Sequence, residues 1–186
     1  MDNDVSAGSG NTSVVGRLAL GITLLAFGLG TTGVIDGVAT ADAASVAHYV
    51  GGVALFLVGL LAFRDRDPAS GTGFTALGAL WFTWAVASPG SAHAAGLFLL
   101  LFALVALTLT LAGGDRLGQV MYGLLFLAML VLAVAQFADS SALAKAGGWV
   151  AVASGAVAWY AATAALAHWP TALPRRAAGR GVTAAG

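Results

Sequence analysis

The chain has 186 residues, 59% of them hydrophobic and only 9% charged, with a formal net charge of zero and a mean hydropathy of +0.90. Globular domains are roughly a quarter charged, so this composition excludes an ordinary water-soluble surface, and no basic patch exists to hold nucleic acid. Cysteine is absent, which removes disulfides, thiolate metal sites and Cys nucleophiles together; glutamate is absent as well.

Between Arg17 and Arg175, charge is confined to short breaks that divide the chain into six apolar stretches: 18–35, 43–63, 72–88, 94–112, 117–138 and 146–168. Each approaches the ~17–25 residues that a helix needs to cross roughly 30 Å of hydrocarbon. None carries the charged face, recurring at helical period, of a surface helix. The predicted fold is therefore all-α, an integral membrane bundle of six transmembrane helices. It forms one domain over 14–170, between a flexible cytoplasmic N-terminus (1–13) and a cytoplasmic basic tail (171–186).

The first stretch follows Arg17 and precedes Ala39-Thr40-Ala41, a pattern shared by secretory signals and their cleavage sites; its length and the five stretches behind it favour a span. Glycine is dense in the first three stretches: Gly16, Gly21, Gly28, Gly30 and Gly33, then Gly51, Gly52 and Gly59, then Gly73 and Gly78. Small residues let helices approach closely in lipid, which predicts a tight bundle and a surface for subunit association. The fourth stretch, rich in leucine, is expected to face lipid over most of its circumference. Turns at Pro68-Ala69-Ser70-Gly71, Pro89-Gly90-Ser91 and Gly113-Gly114-Asp115 separate the later spans. With a cytoplasmic N-terminus, Arg17, Arg64, Arg66, Arg116, Arg175, Arg176 and Arg180 lie inside and only Lys145 outside. That asymmetry places both termini in the cytoplasm and the protein in the cell membrane.

Ionisable groups deep in a membrane are costly and mark function. Here they gather near the outer ends: Asp36, Asp42 and His48 around the first two spans, His93 before the fourth. They read either as a proton-sensitive vestibule or, more economically, as ordinary solvated loops. Lys145 falls in a loop, which leaves no span with a lysine for a retinal Schiff base. No His/carboxylate set has the spacing of a haem or metal site, so no cofactor, no metal and no catalytic residue is expected. The protein is not read as an enzyme. What remains within the spans is uncharged and hydrogen-bonding: Thr23, Thr31 and Thr32, then Thr75, Trp81, Thr83 and Trp84, then Gln119, Tyr122 and Gln136, then Ser154, Tyr160 and Thr163. Singly, such hydroxyls usually bond back to their own helix. As a set on spans one, three and five they suit a narrow path for a weak acid or neutral solute better than one for a metal cation.

Two runs carry a resemblance. Gly51-Gly52-Val53-Ala54-Leu55-Phe56-Leu57-Val58-Gly59-Leu60-Leu61-Ala62-Phe63 precedes a short charged turn, then Gly73-Phe74-Thr75-Ala76-Leu77-Gly78-Ala79-Leu80-Trp81. Together with Gly147-Gly148-Trp149 through Ala158-Trp159-Tyr160 and the later Leu173-Pro174, this resembles the acetate uptake transporter family, the succinate–acetate permease-like membrane proteins. The likeness covers residues 11–174. Of that family's N-P-(A/S)-P-(L/F)-G-L motif, Asn11, Ser13 and Gly16 remain and both prolines are lost.

The resemblance implies a pore narrowed by bulky residues on spans one, three and five. The matching positions are Leu20, Leu77 and Leu125, an aliphatic constriction where the family commonly has an aromatic and a tyrosine. Thr23, Thr75, Trp81, Gln119 and Tyr122 are the pore-lining or substrate-binding candidates. It also implies a small carboxylate substrate, channel-like or proton-linked passage, and a homo-oligomer, a hexamer in the family. The competing function is a non-transporting membrane scaffold or accessory subunit that keeps the fold. Hydroxyls of spans one, three and five facing a common axis would favour the first; hydroxyls turned to lipid or to separate partners would favour the second.

Overall fold

The structure, a computed structural model, describes residues 5–37, 42, 45–87 and 90–169; the Ala39–Ala41 motif, Leu173-Pro174 and the basic tail lie outside these. Among the described residues the regular structure is helical. We label the helices α1 (Val5–Thr32), α2 (Ala47–Arg64), α3 (Pro68–Ala87), α4 (Ala92–Leu111), α5 (Arg116–Phe137) and α6 (Ser141–Leu166). Five of them are long and apolar enough to cross a membrane; α3 is long enough, but its run of Gly, Thr and Ser lowers its hydropathy.

The helix ends have local causes. Helix α1 stops at Thr32, short of the expected 35, because Gly33 takes a left-handed φ of +63° and turns its N–H back to the Leu29 carbonyl at 3.2 Å. Asp67 begins α3, accepting from the Ser70 N–H, with Pro68 in the first helical position where its missing N–H costs nothing. Ser91, Asp115 and Ser140 cap α4, α5 and α6 by accepting from Ala94, Gly118 and Leu143. Several boundaries move outward from the sequence expectation. Helix α1 begins at Val5, within the segment expected to be a flexible N-terminus; α3 begins at Pro68, so the stretch Pro68-Ala69-Ser70-Gly71 expected as a turn is its first turn; and α6 begins at Ser141. Lys145, expected in a loop, therefore sits on the second turn of α6, exposed at its end.

The first part of α2, Ala47–Ala54, is wound as a π-helix, with the Leu55 N–H reaching the Val50 carbonyl, before it continues as an α-helix over Leu55–Arg64. Such wide turns gather at functional positions. Here the wide turn carries Gly51 and Gly52, both buried.

Round the bundle the helices follow chain order, and α1 closes the ring against α6. Lipid supplies no hydrophobic drive between helices, so close backbone approach must hold the ring together. At the α1/α6 contact a methyl on Gly28 would stand 2.7 Å from the Gly148 carbonyl, and one on Gly155 would stand 2.9 Å from the Gly21 carbonyl. The α2/α3 pair runs antiparallel in steady register: Gly52 on Phe82, Phe56 on Gly78, Gly59 on Thr75, Phe63 on Gly71. Helix α4 leaves most of its surface outside the core, as its leucine-rich sequence suggests, while one face packs inward. It buries 39% of its apolar window, the same share as α2, α5 and α6, and sends Phe102 into the core.

These contacts separate two kinds of glycine. Gly28→Ala forces a methyl against backbone on α6 and is expected to destabilise the protein by about 1–3 kcal/mol. Gly123→Ala, whose methyl would meet only Thr110 Cγ2 at 3.7 Å, is expected to be neutral or to stabilise by up to about 1 kcal/mol through helix propensity. Thermal unfolding of the two variants in detergent checks the order.

Candidate functional site

Helices α1, α3 and α5 hold alternate places in the ring. Each contributes a fully buried leucine of the expected set, Leu20, Leu77 or Leu125, to the core cluster of the described residues, where α1 also places Leu24. One turn toward the Arg17 end lies a cavity of about 370 Å³ whose lining includes Arg17, Phe74, Met121 and Tyr122. Arg17 is three residues from Leu20, Phe74 three from Leu77, and Met121 four from Leu125. The cavity floor is thus the helical turn beneath the three leucines.

Ser70, Thr72, Thr108 and Tyr122 give the cavity a polar wall. Beside this wall Gly73 leaves room for Tyr122, since a methyl there would lie 3.2 Å from Tyr122 Oη. At its mouth the Arg17 guanidinium pairs with Asp115, which also accepts from the Gly118 N–H. One carboxylate therefore caps α5 and ties α1 to it. The pair is partly open to solvent, so the tie itself contributes modestly. A second cavity of about 520 Å³ meets the first at Arg17 and Asp115 and is walled by Arg116, His168 and Trp169.

On the far side of the leucines the core closes. Trp81, 1% exposed, stands one turn beyond Leu77, edge-on to Phe27 at 5.1 Å and Phe102 at 5.2 Å. Gly51 brings α2 onto this layer, where a methyl would meet Thr23 Oγ1 at 2.9 Å and Trp81 Cγ at 3.2 Å. Thr23 and Trp81, both expected on the path, are therefore brought together. The other candidates are not. Thr75 lies at the α2/α3 crossing over Gly59, Gln119 is exposed on the first turn of α5, and Tyr122 is in the Arg17-side cavity. Of the motif remnants, Asn11 is exposed, Ser13 is partly buried, and Gly16 is buried under the Phe74 ring.

Most threonine hydroxyls of the spans bond back to their own helices. Thr23, Thr31, Thr83, Thr108 and Thr110 donate to carbonyls of their own helices at 2.7–3.0 Å. Ser154 instead crosses from α6 to α5, donating to the Met121 carbonyl at 2.8 Å. At the other end His48 packs on Tyr49 and Phe82, with ring centroids 4.7 and 4.9 Å apart, and Asp36 is exposed. Among the described residues no group of His, Cys, Asp or Glu has the geometry of a metal site.

Comparison with known proteins fixes the family. The model of the GPR1/FUN34/yaaH family matches residues 3–172. The chain belongs to that family. A relative from Yarrowia lipolytica named "Glyoxylate pathway regulator" is 27% identical over 175 residues, covering 86% of this chain. The alignment spans 64% of that relative's own length. The chain is similar in fold to the solved structure of the bacterial acetate channel SatP. That structure superposes with a TM-score of 0.76 at 24% identity, over 85% of this chain and 92% of that one. The sequence resemblance thus pointed to the right family, and the likeness to SatP shows the same all-helical membrane fold.

Sequence reasoning missed three features of this family member: the Arg17–Asp115 tie, the caps, and the Ser154 bond. The caps were legible, since Asp67, Ser91, Asp115 and Ser140 each stand just before an apolar run. The other two join residues 98 and 33 positions apart, which no local pattern reports. Asp115 is expected to matter more than Arg17. Asp115→Ala loses a cap as well as the pair and should cost about 1–2 kcal/mol. Arg17→Ala should cost less than about 1 kcal/mol, and Asp115→Asn, which keeps a capping oxygen, should fall near Arg17→Ala. Unfolding midpoints of the three variants give the ranking.

Proposed function

We propose that this protein conducts acetate or a related short monocarboxylate across the cell membrane, through a path along the axis of its own six-helix ring. The observation that carries the reading is the polar cavity at the Arg17 end, whose floor lies one turn below Leu20, Leu77 and Leu125. A cavity that narrows to buried apolar side chains at mid-bundle is how channels combine access with a dewetting barrier. Family membership and the fold shared with an acetate channel support the substrate class.

In this reading α3 is the sixth span, held in place by its glycine contacts with α2 despite its lower hydropathy. Both termini then face the cytoplasm, because Arg17, Arg64, Arg66 and Arg116 lie at one end while Lys145 lies at the other. The solute enters the cavity, loses water at Tyr122, Thr72 and Thr108, and crosses the leucines as the anion or as the neutral acid. Passage as the acid is proton-linked by stoichiometry. The lack of a charged group among the buried polar residues Thr23, Thr32 and Ser154 suits weak, rapidly released binding. Assembly of several copies, each with its own path, is part of the same proposal.

A second reading has specific support: a membrane scaffold or regulator that keeps the fold without conducting. Thr23 and Thr83 commit their hydroxyl protons to carbonyls of their own helices, and the Yarrowia lipolytica relative carries a regulator's name. Uptake of labelled acetate into liposomes holding the purified protein decides between the two. The transport reading expects uptake well above empty liposomes, lost in Leu77→Trp and raised in Leu77→Ala. Uptake equal to empty liposomes for acetate, propionate, lactate and succinate would leave the scaffold reading.

A further inference from the structure

Nearly every buried polar group in a folded protein has a hydrogen-bond partner, and each exception needs a reason. Among the described residues, two buried side-chain polar atoms lack one, Thr75 Oγ1 and Trp81 Nε1. The hydroxyl has a ready remedy, since it can rotate toward a carbonyl of its own helix as Thr23 and Thr83 do. The indole has none. Its N–H is fixed in the plane of the ring and can only donate.

The surroundings of Trp81 are specific. It is 1% exposed and lies one turn beyond Leu77, between the edges of Phe27 and Phe102. Thr23 stands across Gly51 from it, with its own hydroxyl proton already committed to the Ala19 carbonyl at 2.8 Å. The layer thus holds one free donor, two aromatic rings and no charged side chain.

We propose that the Trp81 indole N–H is a specificity-determining donor of the transport path, given to one oxygen of a short monocarboxylate as it passes the leucines. The proposal rests on the transport reading above. One donor serves one oxygen, and the short alkyl tail lies against Phe27 and Phe102. A dicarboxylate would bring a second charged group into a layer with no donor or cation left for it, so monocarboxylates are preferred. The orphaned N–H is then a group held ready for a ligand, and its partner arrives with the solute. Because the layer is close-packed, occupancy requires neighbouring side chains to rotate aside.

Two measurements test this. The first follows the five tryptophan indoles by ¹⁵N–¹H correlation in detergent-solubilised full-length protein. The Trp81 signal is identified by eliminating the signals lost in Trp84→Phe, Trp149→Phe, Trp159→Phe and Trp169→Phe. Sodium acetate is expected to move the Trp81 signal downfield and saturably, sodium succinate to move it far less, and sodium chloride at equal ionic strength to leave it unmoved. The second measures acetate uptake by Trp81→Phe, which keeps a ring and removes the N–H; a loss of tenfold or more is expected.

An unmoved Trp81 signal in a protein that does carry acetate would overturn the proposal, as would an equal shift in chloride. Undiminished uptake by Trp81→Phe would also overturn it. If the wild type carries nothing yet acetate moves the signal saturably, the transport reading fails and the carboxylate site stands. If Trp81→Phe does not fold, the titration of the wild-type indole decides alone.

Discussion

Everything in this molecule depends on backbone meeting backbone where glycine leaves room. A helix in lipid gains nothing by hiding leucine, because the surroundings are as apolar as the interior. Gly21 and Gly28, seven residues apart, lie against Gly155 and Gly148, also seven apart; Gly52 and Gly59 repeat the spacing against α3. A seven-residue interval returns to nearly the same face of a helix after two turns. Each such pair therefore makes a continuous seam rather than a single point of touch. Two antiparallel units, α1 with α6 and α2 with α3, are fixed in this way, and α4 and α5 complete the ring.

The ring order makes a central constriction possible. Six helices in chain order place α1, α3 and α5 at alternate positions, so one inward side chain from each can fill the axis without competing for the same space. Leu20, Leu77 and Leu125, one on each of these helices, are wholly shielded, and the proposed path assigns them that place. Charge is excluded from the middle and kept at the ends. Arg17 reaches sideways to Asp115, and the capping carboxylates lie beside the helix N-termini whose free N–H groups they accept.

Much of this was legible from residue order alone. Length and hydropathy give the helices, because crossing hydrocarbon imposes a length that folding in water does not. Glycine density announced the tight pairs, and the family motifs marked Leu77 and Trp81. Other features were hidden for physical reasons. The end of α1 depended on one φ angle at Gly33, and apolar Val34 and Ile35 after it masked the stop. Hydropathy also could not say which way a threonine faces. Thr75 and Thr23 look alike in sequence, yet one sits on a helix crossing and the other beside Trp81. The wide turns of Ala47–Ala54 and the orphaned indole, which meets residues of α1, α2 and α4, are encoded by no local pattern.

The seams are not equally stiff. Between α3 and α4 the backbones make the fewest close approaches of any neighbours in the ring, and the gap is filled by rings: Trp81 on Phe102, Trp84 on Phe98 at 5.7 Å. Pulling a glycine seam apart forfeits contacts along two whole turns at once, whereas an aromatic ring can swing about its own side-chain torsions while both helices stand still. Compliance is thus expected on one wall of the ring, beside Trp81. On this packing the glycine-joined units are expected to act as rigid staves, with the aromatic wall as the expansion joint between them.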